Sequence, residues 1–302
     1  MSKQTVKKGV RKRFTQGLYA TIDRVFTSSK TAYRVDPALR YYAQIFQTDH
    51  LHLGYWEPED ELTLENSHRA QERYTERLID LIPEGVRTVL DVGCGVGGTA
   101  LKLRAAGFEV EGLSPDPELG EVFEANTNGT MRFHLARFED FQPEHRYDLV
   151  LMGESAQYIQ IDEGFRNCRT VLNDGGFLLV SDFFLRHPLD KYDVLSGGGH
   201  LERDYLKAAE EHGFEIIHAE DITDRVAPSL DLALSVYKRY FKPTVLLLDT
   251  ILEQSLLSIP YRMTRAIFRN WARKMLCDQE RLLDSKLFAQ HKRYMIYLFQ
   301  RR

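Results

Sequence analysis

Long apolar runs are missing from this 302-residue chain, and so is any excess of positive charge. No stretch approaches the ~20 consecutive apolar residues that a membrane-spanning helix needs. A formal net charge of -4 argues against a general nucleic-acid binder. Cysteine is scarce: Cys94, Cys168 and Cys277 lie far apart and form no metal-ligand spacing. That usage points to a reducing, cytoplasmic setting. The start, M-S-K-Q-T-V-K-K-G-V-R-K-R, is basic with no apolar core behind it, so it is not a secretory signal. Residues 1–16 read as a solvated, disordered tail.

What remains is ordinary globular material, 43% hydrophobic and 28% charged. The length allows one large α/β domain with additions, or two small domains. One stretch organises the rest: T-V-L-D-V-G-C-G-V-G-G-T, Thr88 to Thr99. An apolar run (Val89, Leu90, Val92) meets four glycines and then a helix opening, a strand–turn–helix pattern. Glycines let the turn adopt positive φ and approach a ligand closely, and the helix N-terminus offers unpaired N–H groups. Gly93, Gly95 and Gly98 also satisfy the G-x-G-x-x-G dinucleotide fingerprint. Asp91 opposes that reading, because a carboxylate at the strand end suits a ligand with a positive end. An ordinary βα turn with incidental glycines is the plain alternative.

D-x-G-x-G-x-G after an apolar strand resembles the first motif of class I S-adenosylmethionine (SAM) dependent methyltransferases. The segment His50-Leu-His-Leu-Gly-Tyr-Trp-Glu-Pro is similar to the one preceding the core in enzymes acting on tocopherols, sterols and cyclopropanated lipids. The resemblance implies that an aromatic residue there, Tyr55, folds over bound cofactor with Trp56 beside it. A hydrophobic staple is the structural alternative for both rings. Two histidines alone, His50 and His52, make a poor metal site.

The expected fold is α/β, a Rossmann-like, seven-stranded, mostly parallel sheet. An N-terminal helical cap (17–61) precedes the SAM-binding core (62–220). A helical insertion (221–293) follows, then the last strand (294–302). Apolar periodicity predicts helices over 14–48 and 62–82, the second stopped by Pro83-Glu-Gly. Further helices are expected at Thr99–Ala106, Pro117–Ala125, Gly164–Leu172 and Glu202–His212. The insertion reads as helical with breaks at Pro228, Pro243 and Pro260. Its aromatic and basic residues suit either packing with solvated charges or a substrate lid and subunit interface. A homo-oligomer through the cap or the insertion fits the same features.

The resemblance also locates a cofactor site. Asp91, Gly93, Cys94, Gly95 and Gly97 form the turn, with Cys94 as packing rather than nucleophile. The second strand ends at Ser114-Pro115-Asp116, where most relatives carry an acid for the ribose hydroxyls. A serine makes only part of that bidentate contact, and Asp116 either substitutes or caps the following helix. Arg137-Phe138 occupies the adenine loop, where the usual pattern is an acid followed by an apolar residue. The Phe138 N–H survives that change and the acid contact does not, unless Glu139 or Asp140 replaces it. Carbonyls near Gly93 and Gly153 suit the cofactor ammonium. Glu154 and Tyr158 follow the fourth strand, where ligands bind in doubly wound folds. Glu154 is the first candidate base or cation stabiliser, with Tyr158, His50 and His52 behind it. Asp182, Phe183 and Phe184 would line the substrate side. The expected activity is methyl transfer to a lipophilic or carboxylate-bearing small molecule by in-line displacement. A non-catalytic SAM-binding subunit and a nicotinamide-dependent reductase are the alternatives.

Overall fold

The computed structural model describes residues 48, 50–254 and 274–302. The tail over 1–16, most of the expected helix over 14–48 and the break at Pro260 lie outside the described residues. Seven strands form one sheet: β1 (Thr88–Val92), β2 (Glu109–Ser114), β3 (Phe133–Leu135), β4 (Tyr147–Gly153), β5 (Leu172–Leu185), β6 (Phe214–Asp221) and β7 (Lys292–Arg301). Their order is β3-β2-β1-β4-β5-β7-β6. The first five run parallel, and β7 is antiparallel to both β5 and β6. This is the expected Rossmann-like, seven-stranded, mostly parallel sheet.

Apolar side chains emerge on both faces because β1 and β4 are central and covered twice. On one face Leu90, Val92, Val150 and Val180 pack under α4 (Ile161–Val171) and α5 (Glu202–Glu211). On the other, Val89, Leu149, Leu151 and Leu179 meet four helices. These are α1 (Leu64–Asp80), α2 (Gly98–Ala105), α3 (Pro117–Asn126) and α6 (Thr223–Val236). In α1 the buried Ala70, Tyr74 and Leu78 recur at i, i+4, i+8, one stripe of an α-helix. Thr63 caps it, its side chain accepting from the Asn66 N–H at 3.1 Å, a bond worth about 1 kcal/mol.

Three expectations need correction. Residues 50–61, assigned to a helical cap, are not helical but form a strap across the core. Gly54 is needed there because a Cβ would lie 2.6 Å from the Ala70 Cβ. Pro228 does not break a helix, since it lies inside α6. It costs the helix one ladder bond, and burial of Val226 and Leu230 on the sheet outweighs that loss. Pro243 does disturb the helix, and a π-helical turn over Tyr237–Phe241 precedes it. The insertion runs from 222 to 291, because β7 begins at Lys292. Within it, residues 234–254 and 274–281 belong to a second compact unit, while 222–233 and 282–291, including α7 (Ser285–His291), belong with the sheet. Among the described residues no helix is long and apolar enough to cross a membrane.

Candidate active site

The C-terminal ends of β1, β2 and β4 meet around the glycine turn. The Gly93 N–H donates to the Leu113 carbonyl at 2.8 Å, tying the end of β1 to β2. Ser155 Oγ donates to the Val92 carbonyl at 2.5 Å, tying β1 to the residues after β4. Gly93 has φ +76°, and a Cβ there would lie 2.4 Å from the Ser155 Cβ. Both conformation and space demand glycine. Gly95 and Gly97 also have positive φ. Cys94 is buried with its thiol pushed up by burial and by Asp91, so it packs the turn and is no thiolate.

Asp91 lies on the same face of β1 as Val89 and is buried. Its Oδ2 has no hydrogen-bond partner among the described residues. Burial raises the carboxyl from its ordinary 3.8 to about 7. A buried carboxylate oxygen without a partner is costly, and a cationic ligand group at the end of β1 would satisfy it. The orphaned oxygen and the side-chain-free glycine turn fit the amino-acid end of SAM.

Ser114 is buried at the end of β2, and its Oγ accepts from the Asp116 N–H at 3.2 Å. Asp116 Oδ1 accepts from the Glu118 and Leu119 N–H groups, so Asp116 is the N-cap of α3. Pro115 is half-buried between them. Arg137 is exposed and pairs with Glu139 Oε1 at 2.9 Å. Phe138 is buried with its ring in the core. Asn167 of α4, which sequence reasoning passed over, holds this loop: its Nδ2 donates to the Phe138 and Phe141 carbonyls. Nothing in the local sequence marks a residue some 30 positions away as the loop's support.

Glu154 follows Gly153 at the end of β4 with φ +54°. A left-handed glutamate is strained, and such strain persists only where surrounding contacts over-determine it. Its N–H donates to the Ser181 carbonyl at 2.8 Å. Its Oε1 accepts from the Leu53 N–H at 2.7 Å and from the Tyr294 hydroxyl at 2.7 Å. The Tyr294 hydroxyl lies 2.9 Å from that of Tyr74. Burial raises Glu154 to about 7, against the lowering effect of the Leu53 and Tyr294 bonds. These partners come from the strap, α1 and β7, so no local motif could reveal them.

The strap delivers different residues to the site from those expected. The Leu51 Cδ1 lies 3.5 Å from where a Gly95 Cβ would stand. Gln71 Nε2 fixes the strap by donating to the His50 and His52 carbonyls. Tyr55 instead lies with its ring 5.4 Å from the Arg225 guanidinium. Trp56 is buried, with Nε1 donating to Ser229 Oγ at 2.8 Å. This is the staple geometry. His52 is a core histidine, stacked 4.3 Å from Tyr74 and lowered to about 3 by burial, hence neutral. Tyr158 is 74% exposed in a short turn, Ala156–Tyr158. Asp182 and Phe184 are buried. Asp182 accepts from the Gln157 and Phe183 N–H groups.

A family model described as a methyltransferase domain matches residues 66–219. The chain is similar to 27-O-demethylrifamycin SV methyltransferase of Amycolatopsis mediterranei, 31% identical over 201 residues, covering 60% of this chain and 72% of that protein. Among solved structures it is similar to geranyl diphosphate C-methyltransferase of Streptomyces coelicolor, determined with Mg2+, geranyl diphosphate and S-adenosyl-L-homocysteine. That pair has a TM-score of 0.64 and 16% identity, covering 90% of this chain and 99% of the other. It is also similar to the [4+2]-cyclase SpnF, with a TM-score of 0.61, 18% identity and coverage of 87% and 94%. At these identities the solved structures speak for the fold alone. The family match spans just over half of the chain and includes the glycine turn, the strained Glu154 and five of the seven strands in full. The chain therefore belongs to the methyltransferase domain family.

Proposed function

We propose that this protein transfers a methyl group from SAM to a small-molecule acceptor, lipophilic or carboxylate-bearing. The observation that carries the reading is the buried, unpartnered Asp91 Oδ2 beside a glycine turn that side chains would block. In this reading Asp91 takes the cationic end of the cofactor. Gly93, Cys94, Gly95 and Gly97 make room for its chain, and the Gly153 carbonyl region receives the ammonium. Ser114 and Pro115 border the ribose, and the Arg137–Phe138 loop borders the adenine. Tyr55 folds over the cofactor from the strap, and Leu51 of the same strap borders the turn. Bound SAM supplies an activated methyl on a positively charged sulfur, open to in-line displacement.

The chain's own contribution is alignment, exclusion of water and proton handling. Glu154 is the proton acceptor for a hydroxyl or carbon acid. Its Oε1 is held by two donors, and its raised pKa of about 7 matches a general base at neutral pH. An acceptor amine would need no such base. Tyr158 is left as a residue at the rim. A relative supports a small acceptor, since it is named for a rifamycin.

Ser114 in place of an acid at the end of β2, and Arg137 paired with Glu139, favour one second reading, a SAM-binding subunit that does not methylate. Calorimetry with SAM and S-adenosyl-L-homocysteine tests the first part. No binding of either sinks both readings. Binding followed by radiolabel transfer to an acceptor panel supports methylation, while binding with no transfer across the panel favours the second.

A further inference from the structure

The edge of the sheet where β1 and β4 end also buries a cation. Lys292 opens β7 opposite Leu185 of β5 and is only 4% exposed. Residues paired across an antiparallel ladder share a face, and so do residues two apart on one strand. Lys292, Tyr294 and Phe183 therefore lie on one face of the sheet, the face that carries Asp91. Tyr294 is two residues along β7, a rise of about 7 Å, and its hydroxyl bonds Glu154. The cation stands one row away from the group assigned as proton acceptor.

The ammonium has neutral partners but no counter-ion. Nζ donates to the Gly197 and Gly198 carbonyls, each at 3.2 Å, and lies 4.3 Å from the Phe183 ring centroid. It forms no ion pair among the described residues. Asp182 acts on it through space, but its oxygens accept from the Gln157 and Phe183 N–H groups. A buried ammonium without a counter-ion is costly, and burial lowers Lys292 from 10.5 to about 8. What covers it is exposed glycine backbone, Gly197 and Gly198. Glycines reorient their carbonyls at little steric cost. An oxyanion arriving from that side replaces two neutral carbonyls with charge-assisted bonds, about twice as strong. Apolar surface adjoins the cation, since Phe183 is half-buried with the Phe288 ring of α7 6.0 Å from its own.

Resting on the methyl-transfer reading, we propose that Lys292 determines specificity by binding an oxyanion of the acceptor, a carboxylate or phosphate, with the acceptor's apolar body against Phe183. The test is NMR of the full chain carrying lysine labelled with carbon-13 at Cε, the Lys292 signal being assigned from Lys292→Arg. Benzoate, phenyl phosphate and neutral benzamide are titrated in, with and without S-adenosyl-L-homocysteine. Benzoate or phenyl phosphate should move the Lys292 signal and raise its pKa, because an adjacent anion favours the charged form. The tighter of the two identifies carboxylate or phosphate. Benzamide should bind at least about tenfold more weakly. In Lys292→Met the anions should lose their advantage over benzamide, read by saturation transfer from protein to ligand. The wild-type shifts decide the matter even where Lys292→Met does not fold. A Lys292 signal that neither anion moves overturns the proposal, and so does an advantage that survives in Lys292→Met. Anions that move Lys292 in a protein that does not bind S-adenosyl-L-homocysteine sink the methyl-transfer reading and uphold the anion site.

Discussion

Replacing Asp91 by asparagine should make the unliganded protein more stable and the liganded one weaker. Burial raises the Asp91 carboxyl from 3.8 to about 7. The folded state therefore keeps a proton that the unfolded chain has lost between these values, and stability falls as pH rises through that window. The gap corresponds to about 4 kcal/mol at most, reached above pH 7. Asparagine removes the charge but buries an amide in the same place, at a cost of about 1–3 kcal/mol. The net gain at pH 8 is then roughly 1–3 kcal/mol, or a rise of about 2–8 °C in Tm. Below pH 4 both side chains are neutral and the gain should disappear. Thermal melts of both proteins from pH 4 to pH 8 measure this, with S-adenosyl-L-homocysteine titrated at pH 8. A difference in Tm that does not grow with pH refutes the buried, uncompensated carboxylate. Equal affinity of the two proteins for the ligand refutes the role given to Asp91 in holding it.

Tyr294→Phe removes a hydroxyl bonded to both Tyr74 and Glu154. It should cost about 1.5–3 kcal/mol in urea unfolding and raise Glu154 above its present value, since that bond lowers it. If Glu154 is the base, the acid limb of the pH–rate profile moves to higher pH, and an unmoved limb denies it that role. Gly93→Ala should abolish ligand binding and reduce expression, because a Cβ meets Ser155 at 2.4 Å. Gly85→Ala, with φ +89° but nothing within 4 Å, should cost only about 1 kcal/mol of backbone strain; equal losses at the two positions would mean that the Ser155 contact is not limiting. Asn167→Ala should weaken ligand affinity by fivefold or more, about 1 kcal/mol, by freeing the Phe138 and Phe141 carbonyls. Arg137→Ala, on an exposed side chain, should change affinity less than twofold, and the reverse order would restore Arg137 as the adenine contact.

The fold was legible because its signals are local. The Val89–Val92 run, the glycines with positive φ and the Tyr147–Met152 run each impose a strand or turn with no help from distant residues. The ends of α3 and α5 were readable for the same reason. Asp116 as a cap was one of two options that sequence left open, and its Oδ1 accepts from the Glu118 and Leu119 N–H groups as a cap does. Pro228 misled because proline's local cost was outweighed by burial of its helix on the sheet.

The site's second half was decided only by tertiary structure. Glu154 could be named from its place after an apolar strand. Its partners Leu53 and Tyr294 lie 101 and 140 residues away, and only the meeting of the strap with β7 brings them to one oxygen. The same strap brings Leu51 to the glycine turn, where Gly54 packs against Ala70 and Trp56 bonds to Ser229. A sequence determines which backbone shapes are cheap, since steric and hydrogen-bonding preferences act between neighbours. Which side chains share a carboxylate depends on how the finished sheet stacks, and that information is spread over the whole chain.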